Sequence, residues 1–123
     1  MQGVFITGTD TGVGKTHIGV LLAKALCARD IAVIPRKPVE SGCKTIGGKL
    51  ITGDALALKQ AAGYKGELEE VCRYRFAQSV SPVRAAHLSN AHLTTAKLVR
   101  ACQYGVEKGF ALVEGAGGFY SPL

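Results

Sequence analysis

Gly8-Thr9-Asp10-Thr11-Gly12-Val13-Gly14-Lys15-Thr16 is the stretch that decides the fold. It follows a short apolar run, Gly3 to Thr7 (GVFIT). After it, apolar residues recur at helical spacing: Ile18, Leu21, Leu22, Ala25 and Leu26. A strand that turns through glycines into a helix aims backbone N–H groups and the positive end of the helix dipole at one point, which makes an anion site. Gly12 and Gly14 let the backbone curl close to a phosphate. Lys15 adds a cation for the outer phosphates, and the Thr16 hydroxyl is placed to ligate Mg²⁺. His17 contributes its backbone N–H, and no role falls to its imidazole. In the strict pattern GxxxxGK[ST] the first glycine would stand at Thr9; here Gly8 precedes it by one residue, and GK[ST] between strand and helix remains specific. The plain structural alternative is a tight strand-to-helix turn with an incidental Gly-Lys-Thr.

Beyond the loop the chain keeps alternating. Ile31 to Arg36 (IAVIPR) reads as a buried strand whose exit Pro35 makes irregular. Pro38 to Gly53 reads as a loop, and Asp54 to Ala62 as a helix stopped by Gly63. Val71 to Phe76 (VCRYRF) alternates like a half-buried strand, and Pro82 to Leu88 is a short helical stretch. Thr94 to Lys108 reads as an amphipathic helix with Leu98, Val99, Cys102 and Val106 on one side. Phe110 to Val113 is a strand that closes on Glu114-Gly115-Ala116-Gly117-Gly118. This order predicts an α/β fold of the P-loop NTPase type, a mainly parallel sheet flanked by helices, in one domain over residues 1–123. The last strand is followed by only a few residues and no closing helix. Because a parallel sheet needs both faces covered, that end reads as an incomplete domain.

With 47% hydrophobic and 20% charged residues over 123 positions, the composition is that of one globular domain. The net charge of +6 suits an anionic partner. The basic residues stand singly, without the aromatic-interleaved clusters of a nucleic-acid reader, so a nucleotide is expected and nucleic acid is not. Cys27, Cys43, Cys72 and Cys102 form no CxxC pair, which points to thiols in a reducing compartment rather than a zinc site. The start MQGVFITG lacks a basic and an apolar signal region, and no stretch approaches a membrane span, so a soluble cytoplasmic protein is expected.

Glu114 ends an apolar strand in the manner of a Walker B acid, which would bring it to the same sheet edge as the phosphate loop; the alternative is an exposed strand-end acid. Asp54 suits either a metal or the N-terminus of its helix, as cap or dipole partner. Mg²⁺ takes a few carboxylates or hydroxyls together with phosphate oxygens and water, a need that Thr16, Asp54 and Glu114 meet jointly. Lys37 lies just past the second strand, on the carboxyl edge where ligands bind in such sheets; alone it would read as a solvated strand-end lysine. His87 and His92 have no partners at catalytic spacing, and Arg73, Arg75 and Arg84 read as a solvated edge.

Three blocks, GTDTGVGKT, then KPVESG (Lys37 to Gly42), then VEGAGG (Val113 to Gly118), stand in the order found in the dethiobiotin synthetases, and the chain resembles that family over essentially its whole length. Partition and cell-division ATPases are looser relatives and carry a signature lysine early in the loop, where this sequence has Asp10. The resemblance implies an ATP- and Mg²⁺-dependent ligase of biotin biosynthesis. Its reaction is the ring-closing carboxylation of 7,8-diaminononanoate with CO₂, through a carbamate and a carbamic-phosphoric anhydride. It implies ATP contacts at Gly12, Val13, Gly14, Lys15, Thr16, His17, Asp54, Glu114, Gly115, Ala116 and Gly117. It further implies Lys37 as the catalytic residue, Ser41 and Thr11 as substrate contacts, and a homodimer in the full-length family form. Gly12 departs from members that carry an acidic side chain there. The length, little over half that of the family, would leave the adenine contacts and dimer surface elsewhere. A non-catalytic nucleotide-binding switch module is the alternative reading.

Overall fold

The computed structural model describes residues 2–7, 14–77 and 93–115. Its centre is a sheet of three parallel strands in the order β1 (Gln2–Ile6), β7 (Phe110–Glu114), β2 (Val33–Arg36). The register sets Ile6 opposite Glu114 on one side and Arg36 opposite Val113 on the other. Strand side chains alternate between faces, and the packing follows that period. Val33 and Leu112 meet Ala23, Leu58 and Ala62, with Val4 and Ile6 packed against them, on the face covered by α1 (Lys15–Ala28) and α2 (Gly53–Ala62). Ile34 and Ala111 turn to the other face and meet Val106. The same parity carries Glu114, two residues past Leu112, toward α1 and α2.

The handover from loop to α1 is made by Gly14, at φ +86°, with no side-chain cap. A Cβ at Gly14 would meet no atom of the described residues within 4 Å, and its left-handed backbone by itself favours glycine there. The apolar stripe predicted for α1 needs correction. Ile18 and Leu21 are exposed, while Lys15, Gly19 and Ala23 are buried. Small residues one turn apart let the helix settle closely on the sheet and α2, and that close contact, rather than the larger side chains, sets the buried face.

The segment predicted as one loop, Pro38 to Gly53, holds three short strands. β3 (Val39–Glu40) pairs in parallel with β6 (Tyr74–Arg75), and β4 (Lys44–Ile46) pairs with β5 (Lys49–Ile51) as an antiparallel hairpin. Gly47 and Gly48 both take positive φ at its turn, as tight hairpins require. The strand predicted over Val71 to Phe76 is instead the end of a short helix, α3 (Leu68–Val71), followed by β6. The predicted helix over Thr94 to Lys108 is α4 (Thr95–Gln103), capped by the Thr94 side chain, and then a separate 3₁₀ turn at Val106–Lys108. Gly105, at φ +69°, separates the two. Pro82 to Leu88, with His87, lies outside the described residues.

Arg36 ties the end of β2 in place. Its fully buried guanidinium donates to the Tyr104 carbonyl at 2.6 Å and the Tyr64 hydroxyl at 3.3 Å, and lies over the Tyr64 ring. The four cysteines are free thiols; Cys43 and Cys72 are buried, and burial pushes both thiols upward in pKa, Cys72 the further. No helix among the described residues is long and apolar enough to cross a membrane.

Candidate functional site

Four residues predicted from the sequence meet at the carboxyl ends of the central strands. Thr16, in the first turn of α1, donates its hydroxyl to Glu114 Oε1 at 2.6 Å. Lys37, one residue past β2, brings Nζ to 3.5 Å from the same oxygen, 3.9 Å from Asp54 Oδ2 and 3.4 Å from the Gly115 carbonyl, to which it donates. Side-chain exposure is 5% for Lys37 and 1% for Glu114 but 49% for Asp54. The Lys37–Glu114 pair is therefore a desolvated one, while Lys37–Asp54 is largely screened by water. A solvated Lys37 and an exposed strand-end Glu114 are both ruled out.

These contacts follow from the register. Lys37 continues the parity of Val33 and Pro35, and Glu114 that of Leu112, so adjacent parallel strands deliver a cation and an anion to one face. Helix α1 begins at the carboxyl end of β1, whose Ile6 is the partner of Glu114, and that places Thr16 within reach.

Glu114 Oε2 is buried and finds no hydrogen-bond partner among the described residues. An orphaned carboxylate oxygen in a dry site costs stability unless a cation or donor meets it. With the Thr16 hydroxyl on the other oxygen of the same carboxylate and Asp54 on Lys37, the oxygen donors gathered here are of the type that a hard cation such as Mg²⁺ takes. Among the described residues no group of three or more His, Cys, Asp and Glu side chains could enclose a metal. A cation held here would draw its remaining ligands from phosphate and water, which is the manner in which Mg²⁺ is usually bound.

Asp54 does not cap its own helix. It sits in the first turn of α2, where the N-cap residue is Thr52. The first-turn amides of α2 instead reach Glu40, whose Oε1 accepts from Ala55 N at 3.2 Å and whose Oε2 accepts from Asp54 N at 3.4 Å. Glu40 carries no role in the sequence reading. Burial, then the neighbouring Asp54 charge, hold its carboxyl above the usual range, against the pull of Lys37 and the two amides.

Lys15 is buried at the start of α1, and the His17 side chain is exposed. Ser41 is half-buried, and among the described residues no hydrogen bond joins it to the cluster. Gly14 and Gly115 flank the site. Thr11, Gly12, Val13, Ala116 and Gly117 lie outside the described residues.

A family model described as "AAA domain" matches residues 2–123. The chain belongs to that family. Its P-loop NTPase-like architecture agrees with the parallel sheet, the covering helices and the glycine-initiated first helix. Curated relatives named ATP-dependent dethiobiotin synthetase BioD match this AAA domain from end to end. That of Vesicomyosocius okutanii is 43% identical over 100% of this chain and 55% of its own length. That of Ruthia magnifica is 40% identical over 100% of this chain and 56% of its own length. That of Anaeromyxobacter dehalogenans is 37% identical over 100% of this chain and 54% of its own length. The chain thus spans a little over half the length of these relatives.

Proposed function

We propose that this AAA domain is the phosphate-binding portion of a dethiobiotin synthetase. Residues 1–123 would act as one nucleotide-binding unit in the ATP-dependent closure of a cyclic urea from 7,8-diaminononanoate and CO₂. One observation carries the reading: a buried lysine just past a central strand is held between Glu114 and Asp54, beside the first turn of the helix that Gly14 starts. The names of the relatives and their likeness over the whole of this chain support that reading; the diamine and CO₂ rest on the family resemblance.

In this reading one amine attacks CO₂, loses a proton and becomes a carbamate. A carbamate oxygen then attacks the γ-phosphorus of ATP and ADP leaves. The second amine attacks the carbonyl carbon, expels phosphate, loses a proton and closes the ring. Little of this needs covalent help from the protein; positioning and charge neutralisation are the main requirements. Lys15 and the amides at the start of α1 bind the phosphates. Lys37 meets negative charge on the carbamate and on the phosphoryl group in transit. Thr16, Asp54 and Glu114 would hold Mg²⁺, which would neutralise phosphate charge. ATP contacts at Gly12, Val13, Ala116 and Gly117, substrate contacts at Thr11 and Ser41, and a cytoplasmic homodimer belong to the same reading and rest on the family resemblance.

The test is product formation from 7,8-diaminononanoate, bicarbonate and Mg·ATP by a full-length protein carrying these residues and by its Lys37→Ala variant. The expected result is dethiobiotin from the wild type and a fall in kcat larger than any rise in KM for ATP. Nucleotide turnover without dethiobiotin, stimulated by another protein, would favour a switch module instead.

A further inference from the structure

We propose that Glu40 is a positioning residue: it clamps the first turn of α2 and thereby sets Asp54 against Lys37 and Glu114. The proposal rests on the reading of Asp54 as a Mg²⁺–nucleotide ligand and adds a residue that the reading leaves out.

A helix begins with backbone N–H groups that have no partner inside it. A side chain at the N-cap position ordinarily accepts from them. In α2 that position is Thr52, and it makes no capping bond. Its hydroxyl is buried and finds no hydrogen-bond partner among the described residues. The capping role passes to Glu40, twelve positions before the N-cap in sequence and on a different element. Its two oxygens divide the work, one to each of two successive amides, Asp54 and Ala55.

Glu40 is itself held firmly. β3 pairs with β6 so that Glu40 faces Arg75, and the Glu40 carbonyl accepts from Phe76 N at 2.9 Å. The strand segment is anchored at its start as well, where Lys37 N donates to the Val71 carbonyl at 2.8 Å. The short run Lys37 to Glu40 therefore grips the start of α2 at two points. Lys37 reaches the Asp54 carboxylate and Glu40 reaches the Asp54 backbone. The first contact is long and half-solvated, so the Glu40 clamp is the one that holds the backbone from which the Asp54 side chain starts. Without it the first turn would fray, and the carboxylate would spend time away from the site.

Glu40→Ala, Glu40→Gln and Glu40→Asp separate this role from others. Gln keeps an oxygen acceptor without the charge. Asp keeps the charge but is one methylene too short to span both amides. Two measurements on each variant suffice: hydrogen exchange at the Asp54 and Ala55 amides, and ATP affinity with Mg²⁺ and with chelator. The Ala and Asp variants should exchange faster at both amides and lose about fivefold in Mg²⁺-supported affinity, the scale of a lost helix cap. Metal-free affinity should be unchanged, and Gln, which keeps an acceptor for one amide but turns an NH₂ donor toward the other, should fall between wild type and Ala, about twofold down in Mg²⁺-supported affinity. If Glu40→Ala fails to fold, Glu40→Asp decides. Unchanged exchange in the variants would overturn the clamp. Faster exchange with unchanged Mg²⁺-supported affinity would leave a cap but overturn the positioning role. A wild type whose ATP affinity ignores Mg²⁺ would overturn the nucleotide reading of Asp54, and the clamp would then be structural only.

Discussion

Removing the Lys37 ammonium should unmask the cost of the Glu114 carboxylate. Glu114 is almost fully buried, one of its oxygens has no hydrogen-bond partner among the described residues, and the other accepts from Thr16 and lies beside Lys37. Lys37→Met retains the stem and removes the charge, leaving a buried carboxylate with one hydroxyl to solvate it. Breaking a buried pair on one side costs about 3–5 kcal/mol. The Thr16 bond survives, which puts the expectation at the low end, about 3 kcal/mol. The contact with half-exposed Asp54 adds less than about 1 kcal/mol. Glu114→Gln alone should cost less, since Lys37 still has the Gly115 carbonyl and Asp54. The double variant Lys37→Met/Glu114→Gln removes both charges and should recover most of the Lys37→Met loss. The assay is equilibrium urea unfolding of the four proteins at neutral pH, without nucleotide or metal. A urea slope of about 1–3 kcal/mol per molar converts the loss to a midpoint lower by about 1–3 M. Strict additivity of the two single losses would refute the pairing, because residues that do not interact add independently.

Gly14→Ala should cost about 1–2 kcal/mol in thermal or urea unfolding, from left-handed backbone alone; a much larger loss would mean a clash, for which the described residues around Gly14 leave no candidate. Asp54→Asn should weaken ATP binding in Mg²⁺ at least about tenfold while leaving binding in chelator unchanged, since it removes an anionic oxygen and little else; equal losses in both would mean that Asp54 serves the helix. Burial raises the pKa of Cys43 and Cys72, so the stability their neutral thiols contribute is fully present at neutral pH and is lost as pH climbs from the ordinary thiol range to the raised values. Iodoacetamide at neutral pH should therefore spare both in the native protein and label them in urea; equal rates in the two states would contradict their burial.

Local signals were the legible ones. The glycine-lysine-threonine run between strand and helix, the strand ending at Glu114 and the helix from Asp54 to Ala62 can each be read within a dozen residues. The gathering of Lys37, Asp54, Glu114 and Thr16 was suggested by where each stands relative to a strand or helix end. Its distances depend on the β1–β7–β2 register, which no local window contains. The hairpin at Gly47-Gly48 was legible in principle, since two glycines flanked by Lys44–Ile46 and Lys49–Ile51 are a tight-turn signal. The glycine-rich context hid it as a loop. Glu40 left no such trace: an acid that caps a helix fourteen residues away has no fixed spacing to recognise. On α1 the size of Ile18 and Leu21 misled, because close packing there is done by Gly19 and Ala23.

Strand order has a consequence for how the molecule comes together. β1 and β2 do not pair with each other; each pairs with β7, which arrives some seventy residues after β2. During synthesis the phosphate loop and its helix emerge early, yet the strand on either side of the gap waits for Phe110 to Glu114 to fill it. Contacts so distant along the chain close slowly, because the entropy of the intervening segment must be given up before the sheet repays it. The arrival of β7 is also the arrival of Glu114. Of these three strands the last to be synthesised is thus the one that brings the buried acid to Lys37, so joining β1 to β2 and assembling the charge pair are a single event.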